Sequence, residues 1–364
     1  MTQVLPFKLV KLETRMATED DSHLPTYDHT KLAAINTCPT WGIIRYSRHL
    51  RMPGDTRAMA LEAGAAAHEA FSAVRWFQYG QVQANTTIES RIAENQGVRI
   101  FGQERFDQLK STLDKSATER TNVINFALEA LYTSGYYDDP SDTKRTISNI
   151  SESLIAYIDR WDMERYPIWV RDSEDPKSDI GIEIAFDVVA TFTLSDGTTE
   201  IERTYRFTGK LDGLHWNRDK LLVMEDKTGA RLDNAWLAQW ILSHQITGYC
   251  VAGHTFTGLD CMIPEAKVLG MKIPLGRIAY EGIRQEDVKR NVLMVSKWAE
   301  WFVSTVEMEQ TFRKNVLDAP MFTTACNRYF RSCSFLPLCA CNTVEDKQQV
   351  LEEMQLDEWS PLHE

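Results

Sequence analysis

Asp212, Glu225 and Lys227 fall within one short stretch, FTGKLDGLHWNRDKLLVMEDKTG. Hydrolysis of a phosphodiester needs an activated water, neutralisation of the charge that develops on the phosphate oxygens, and a proton for the leaving group; divalent ions held by carboxylates supply the first two. The carboxylates must therefore converge. Asn217-Arg218-Asp219 reads as a turn, so Asp212 lies late on one strand while Glu225 and Lys227 lie on the next. Residues i and i+2 of a strand share a face. Glu225 and Lys227 then point together, and Asp226 points to the other side while offering its backbone carbonyl as a hard oxygen ligand. Lys227 is a point charge suited to positioning a water or steadying the phosphate.

An Asp and a Glu-x-Lys on a hairpin are commonly surface salt-bridge partners of little energetic weight. The setting argues otherwise here, because Glu225 follows the apolar run Leu221-Leu222-Val223-Met224, and a charged pair at the end of a buried strand marks a cleft. Two helical pairs add to it. Gly64 and His68 stand one turn apart, as do Gln245 and Tyr249, so each pair shares a helix face. A lone helical histidine is more often a satisfied core or surface residue than a ligand, and either pair alone carries little weight.

In this order the four pairs resemble the RecB-type branch of the PD-(D/E)XK nuclease superfamily. That branch is marked by a Gly-x-x-x-His helix, a Gly-x-x-Asp strand end, a Glu-x-Lys strand and a Gln-x-x-x-Tyr helix. Gly64 and His68, Gly209 and Asp212, Glu225 and Lys227, and Gln245 and Tyr249 fill those places. The resemblance implies an α/β fold with a central mixed sheet flanked by helices. It also implies His68, Asp212 and Glu225 as ligands of Mg²⁺ or Mn²⁺, with the Asp226 carbonyl beside them, Lys227 as the catalytic lysine, and Gln245 and Tyr249 contacting DNA or orienting the site.

The cysteines form a second constellation. Cys326, Cys333, Cys339 and Cys341 crowd into 16 residues, and Cys38 stands far away near the N-terminus. Four thiolates can hold a [4Fe–4S] cluster or a tetrahedral zinc ion, and unpaired thiols are also common core residues. Cys250 and Cys261, alone in apolar surroundings, read as core thiols. One cysteine before the motifs and three after them resembles iron–sulfur nucleases of the AddB and CRISPR-adaptation type. The resemblance implies Cys38, Cys326, Cys333 and Cys339 as cluster ligands. The six residues between Cys326 and Cys333 exceed the family's usual spacing, which leaves Cys341 as an alternative to Cys326.

Certain elements must position these groups. A helix is expected over residues 27–50, capped near Asp28 or Thr30 and restarted at Pro39, and another from Ala58 to Phe77. Residues 88–165 are helical by period. Alternation then predicts strands over 182–194, 204–216 and 220–227, a helix over 234–253, a strand over 267–280 and a helix over about 285–310. The corresponding segments are an arm with the first cysteine (1–60), a motif helix with a large helical insertion (61–170), a core (171–285), a C-terminal helix and cysteine segment (286–345), and a peripheral acidic tail (346–364).

The chain has 364 residues, a formal net charge of −12, and 43% hydrophobic and 25% charged residues. That composition suits one elaborated globular domain or two intimate ones. No apolar run approaches the roughly 18 residues that span a bilayer, and a cytoplasmic location is expected. Bulk charge excludes a protein that coats nucleic acid, so a local track, for which Arg45, Arg48, His49, Arg51 and Arg57 are candidates, must do the binding. The expected partners are DNA ends, single-stranded or duplex, and a helicase or recombination protein, in a phage or cellular setting. A noncatalytic DNA-binding or helicase-partner subunit and an RNA-processing nuclease are the alternatives.

Overall fold

Alternating and helical segments assemble, in a computed structural model of the chain, into an α/β architecture with one mixed sheet and helices on its faces. The structure describes residues 8–54, 59–258, 265–276, 279–328 and 331–358. In chain order these form β1 (Lys8–Met16), β2 (Thr26–Tyr27), α1 (His29–Thr37), α2 (Pro39–Gly42), β3 (Leu50–Arg51), α3 (Met59–Gln78), α4 (Thr87–Phe101), α5 (Gln103–Ser111), α6 (Glu119–Tyr132) and α7 (Ile147–Arg160). There follow β4 (Ile182–Ser195), β5 (Glu200–Asn217), β6 (Lys220–Gly229), α8 (Asn234–Ile241), α9 (His244–Thr257), β7 (Glu265–Lys272), β8 (Ile283–Val288) and α10 (Val292–Phe312). The end of the chain carries β9 (Asn327–Arg328), β10 (Arg331–Ser332), α11 (Leu336–Cys339), α12 (Val344–Glu352) and β11 (Gln355–Leu356).

The sheet runs β1-β4-β5-β6-β7-β8, with β2 beside β5. β5 and β6 are antiparallel, with Gly213 opposite Met224, whereas β6 and β7 are parallel, with Glu225 opposite Val268. The parallel pair needs a crossover, and α8 and α9 supply it. The chain divides into two compact units. One comprises Met1–Thr56, Ala185–Gly209 and Val292–Glu364, the other Arg57–Ile184 and Lys210–Asn291.

The second unit packs around α3. Ala63, Ala66, Ala67, Ala70, Phe71 and Val74 of α3 join Phe126 of α6, Leu154 and Tyr157 of α7, and Leu222 and Met224 of β6 in one buried cluster. The small residues of α3 let its neighbours approach closely, and Trp76 stacks on Phe126 at 4.7 Å. Local signals set the ends: Thr86 and Glu89 form a capping box on α4, and Asp233 caps α8 through the Trp236 amide.

In the first unit, Asp28 caps α1 by accepting from the Lys31 amide, and Pro39 opens α2. Ile35, Ile43 and Ile44 are buried with Phe335, Leu338, Leu351 and Met354. Several expectations are corrected here. The N-terminal arm holds β1, which pairs with β4 along the sheet edge. The acidic tail is not peripheral: Leu351 and Met354 enter the core, and β11 pairs with β3. In the second unit, the expected helix over 234–253 is two, because Ser243 caps a new one. The last strand ends at Lys272, β8 occupies 283–288, and α10 begins only at Val292.

Candidate active site

Alternation along β6 sorts its side chains between two faces. Leu222, Met224 and Asp226 turn towards α3 and α7, and Val223, Glu225 and Lys227 towards α8 and α9. α9 lies close because Gly253 permits it, since a Cβ there would already stand 3.3 Å from Val223. Glu225 is 1% exposed. Its Oε1 accepts from Gln245 Nε2 at 3.0 Å and from the Lys227 ammonium. Gln245 Nε2 also stands 3.3 Å from the Tyr249 hydroxyl. Glu225 Oε2 is buried and has no hydrogen-bond partner among the described residues.

Asp212 sits on β5 next to this pair. Its Oδ2 accepts from the Asp226 backbone amide at 2.7 Å, and its Oδ1 lies 3.4 Å from Nδ1 of His68, on α3. Four separate segments thus bring two linked groups together, His68 with Asp212 and Glu225 with Lys227, Gln245 and Tyr249, the Asp226 amide next to Glu225 in the chain holding Asp212. Asp226 contributes differently: its side chain is wholly buried on the opposite face, paired with Arg75 Nη1 at 2.5 Å and accepting from the Tyr157 hydroxyl at 3.2 Å. Its amide anchors Asp212, and its carboxylate anchors the strand.

The sequence reading missed Glu183. His68, Glu183 and Asp212 bring one ligand atom each to within 4.8 Å of one another. Glu183 is the second residue of β4, has a φ of +50°, and is held by the Ser72 hydroxyl at 2.8 Å and by Lys210 Nζ at 2.9 Å. No local pattern sets this glutamate apart from other strand glutamates.

The electrostatics are those of crowded acids. Burial and the Asp212 charge push Glu225 up to about 7. Burial opposes ionisation of Asp212 too, but His68, Lys227 and Arg75 hold it well below the usual carboxylate range. Burial would lower His68, yet the Asp212 carboxylate prevails and raises it to about 9. The oxygen and imidazole donors of His68, Glu183 and Asp212 suit a hard divalent cation, and Glu225, which is outside that group of three, keeps one buried oxygen without a hydrogen-bond partner among the described residues.

Gly64 and Gly209 play unequal parts. A Cβ at Gly64 would meet only Thr228 Oγ1, at an ordinary 3.6 Å, whereas a Cβ at Gly209 would stand 2.7 Å from the Phe186 ring. Only the second glycine is required by close approach.

The first unit holds the other constellation. Cys38, between α1 and α2, lines a cavity of about 280 Å³ together with Cys326, Cys333 and Cys339 and the side chains of Trp41 and Phe335. No three of these sulfurs lie within 4.8 Å of one another. Cys341 is not part of this lining; its thiol donates to the Pro337 carbonyl at 3.2 Å. Between Cys326 and Cys333, β9 and β10 pair with each other, and the Cys333 amide donates to the Cys326 carbonyl at 2.8 Å. Burial and the neighbouring thiols push Cys339 up to about 11. Cys250 is wholly buried in α9, as expected of a core thiol, and Cys261 lies outside the described residues.

The basic stretch is engaged in structure. Arg45 pairs with Asp357 at 2.7 Å, and Arg48 donates to the carbonyls of Arg313 and Lys314 just beyond α10. Arg57 lies outside the described residues. No helix is long and apolar enough to cross a membrane among the described residues. Comparison of the chain with protein-family models, with curated proteins and with solved structures finds no match in any of the three.

Proposed function

We propose that this chain is a metal-dependent deoxyribonuclease of the PD-(D/E)XK class, RecB-type branch, that hydrolyses phosphodiester bonds at DNA ends and carries a cysteine-bound iron–sulfur cluster. One observation supports it above the others. Six side chains from four motifs separated by up to 181 positions, His68 to Tyr249, meet in two groups linked through the Asp226 amide, which holds Asp212. A set of surface ion pairs has no reason to converge in this way.

His68, Asp212 and Glu225 would hold Mg²⁺ or Mn²⁺, which supplies Lewis acidity towards the phosphate and a water of lowered pKa. The chain's own groups do the rest. Lys227 keeps its ammonium charged, because the attraction of Glu225 and Asp212 outweighs its burial, and presents that charge at the end of β6. Gln245 holds Glu225 Oε1 in place, and the Asp226 amide fixes Asp212. Burial of Asp212 and Glu225 would strengthen their attraction for a divalent cation.

The cavity between Cys38 and the C-terminal cysteines supports the cluster reading. Four thiols around one cavity are a donor set that a [4Fe–4S] cluster or a tetrahedral zinc ion can use, and the one-before, three-after order of the cysteines favours the cluster. Its role would be to tie Cys38 to a segment almost 300 residues further on, closing a long loop.

Both parts are open to test in protein purified without oxygen. Asp212→Ala and Glu225→Ala should abolish Mg²⁺- or Mn²⁺-dependent cleavage of end-labelled DNA while DNA binding survives; activity in both variants would remove the assignment. The preparation should be brown and contain iron and acid-labile sulfide. Colour should be lost in Cys38→Ser, Cys326→Ser, Cys333→Ser and Cys339→Ser and kept in Cys341→Ser. A colourless protein with stoichiometric zinc would refute the cluster and leave the hydrolytic site untouched.

A further inference from the structure

Trp236 and Trp240 stand one turn apart on α8 and share a face of it. Trp236 is buried against β7, where Gly270, the register partner of Lys227, leaves room for it: a Cβ there would stand 2.7 Å from the Trp236 ring. Trp240 lies a turn further on and is only half-buried. Its ring meets Trp236 edge to face at 5.9 Å, and the Lys227 ammonium stands 5.6 Å from its centre. A covered indole N–H usually finds a hydrogen-bond partner, yet Nε1 of Trp240 has none among the described residues. Packing alone therefore gives no reason for a tryptophan at this position.

The end of the helix is both fixed and apolar. Arg290 donates to the Trp240 and Ile241 carbonyls, at 2.9 Å each, which closes the last turn of α8. Ile241 and Leu242 follow, 47% and 72% exposed. An aromatic ring on a pinned turn, open apolar residues next to it in the chain, and a lysine whose side chain is 22% exposed suit a ligand that joins a flat ring to an anion. A nucleotide is such a ligand. Every nucleobase has a π-face that stacks on an aromatic side chain, and one sugar ties it to its phosphate, so a phosphate drawn to Lys227 carries its base to the neighbourhood of Trp240.

We propose that Trp240 is the residue on which the nucleobase at the scissile phosphate stacks, a base that must be unpaired to offer its face. Trp240 holds the substrate in position, and the chemistry stays with the groups on β5 and β6. The inference rests on the nuclease reading above and deepens it by naming a contact to the substrate.

The experiment measures the affinity of the full chain, in chelator, for end-labelled single-stranded oligonucleotides in which a single abasic site is moved along the strand. In wild type, loss of the base at one position or two neighbouring ones should weaken binding about fivefold or more, the low end of what one stacked base contributes. In Trp240→Ala the intact strand should bind more weakly by that factor, and the same positions should become indifferent; Trp240→Phe, which keeps a ring, should retain the profile. A tryptophan that acts only on Lys227 or on folding would weaken intact and abasic strands alike, so a Trp240→Ala profile parallel to that of wild type would overturn the proposal, as would a flat profile in wild type. A second measurement needs no variant. Iododeoxyuridine at the sensitive position, irradiated in complex with wild type, should crosslink to the peptide that contains Trp240, and crosslinks to other segments alone would also overturn it. If wild type cuts no DNA with Mg²⁺ or Mn²⁺, the nuclease reading fails and this assignment with it; if it cuts and the abasic profile is flat, only the assignment fails.

Discussion

Removing Arg75 should destabilise the floor of the site while leaving every proposed ligand in the chain. Arg75 and Asp226 are both wholly buried, 2.5 Å apart, on the α3 side of β6. Without the guanidinium, Asp226 Oδ1 keeps the Tyr157 hydroxyl, but Oδ2 and the full negative charge are left in an interior lined by Phe71, Tyr157 and Trp161. Breaking a buried pair by deleting one partner costs about 3–5 kcal/mol, a large part of the roughly 5–15 kcal/mol that holds a domain together. Arg75→Met should lose that amount. Deleting both charges should not: Arg75→Met combined with Asp226→Leu removes the desolvation of both ions, and is expected within about 1 kcal/mol of wild type or above it. The Asp226 amide that anchors Asp212 survives in every variant. Hydrogen exchange of amides in α3 and β6 is the appropriate readout, because a chain of two units need not unfold in one step. A single variant as stable as wild type, or a double variant no better than the single, would refute this reasoning.

Asp28 is pushed up to about 6, above its ordinary 3.8, because its burial outweighs the Lys31 amide that it caps. A raised acid stabilises the fold fully below 3.8 and loses that contribution as pH rises through 6, so wild type should weaken by up to about 3 kcal/mol between pH 4 and 8 relative to Asp28→Asn. The amide caps equally well, so Asp28→Asn should be the more stable above pH 6; parallel denaturation curves for the two proteins from pH 5 to 8 would contradict this. Gly97→Ala should lower stability by about 1–3 kcal/mol, since its Cβ would enter the Phe106 ring at 2.2 Å, an overlap that outweighs the gain in helix propensity. A melting temperature equal to or above that of wild type would show that α5 yields instead.

Much of the site was legible because period-two alternation and one-turn spacing are local rules. The faces of β6, the hairpin that brings Asp212 to Glu225, and the i, i+4 pair Gln245 and Tyr249 follow from them directly. Glu183 was not legible. Its approach depends on a positive φ and on partners 111 and 27 positions away, which no local pattern encodes. The same limit explains β1: KLVKLETRM alternates only in part, and its four charges obscured an edge strand that needs few apolar residues. The acidic tail misled by composition, because Leu351 and Met354 alone carry its packing. The arginines at 45 and 48 read as a binding track, yet their partners, Asp357 and the carbonyls of Arg313 and Lys314, lie more than 250 positions away.

The central claim is that Asp212, Glu225 and Lys227 hydrolyse nucleic acid with a divalent ion. Its most direct test is single-turnover cleavage of end-labelled single-stranded, duplex and circular DNA, and of RNA of the same sequence, by anaerobically purified wild type and Lys227→Ala, with Mn²⁺ and after chelation. Wild type should cut linear DNA only with the ion, and Lys227→Ala should bind Mn²⁺ normally yet cleave at least a hundredfold more slowly. Preference for RNA would change the substrate, and wild type that binds DNA but cuts no substrate with Mg²⁺ or Mn²⁺ would contradict the account.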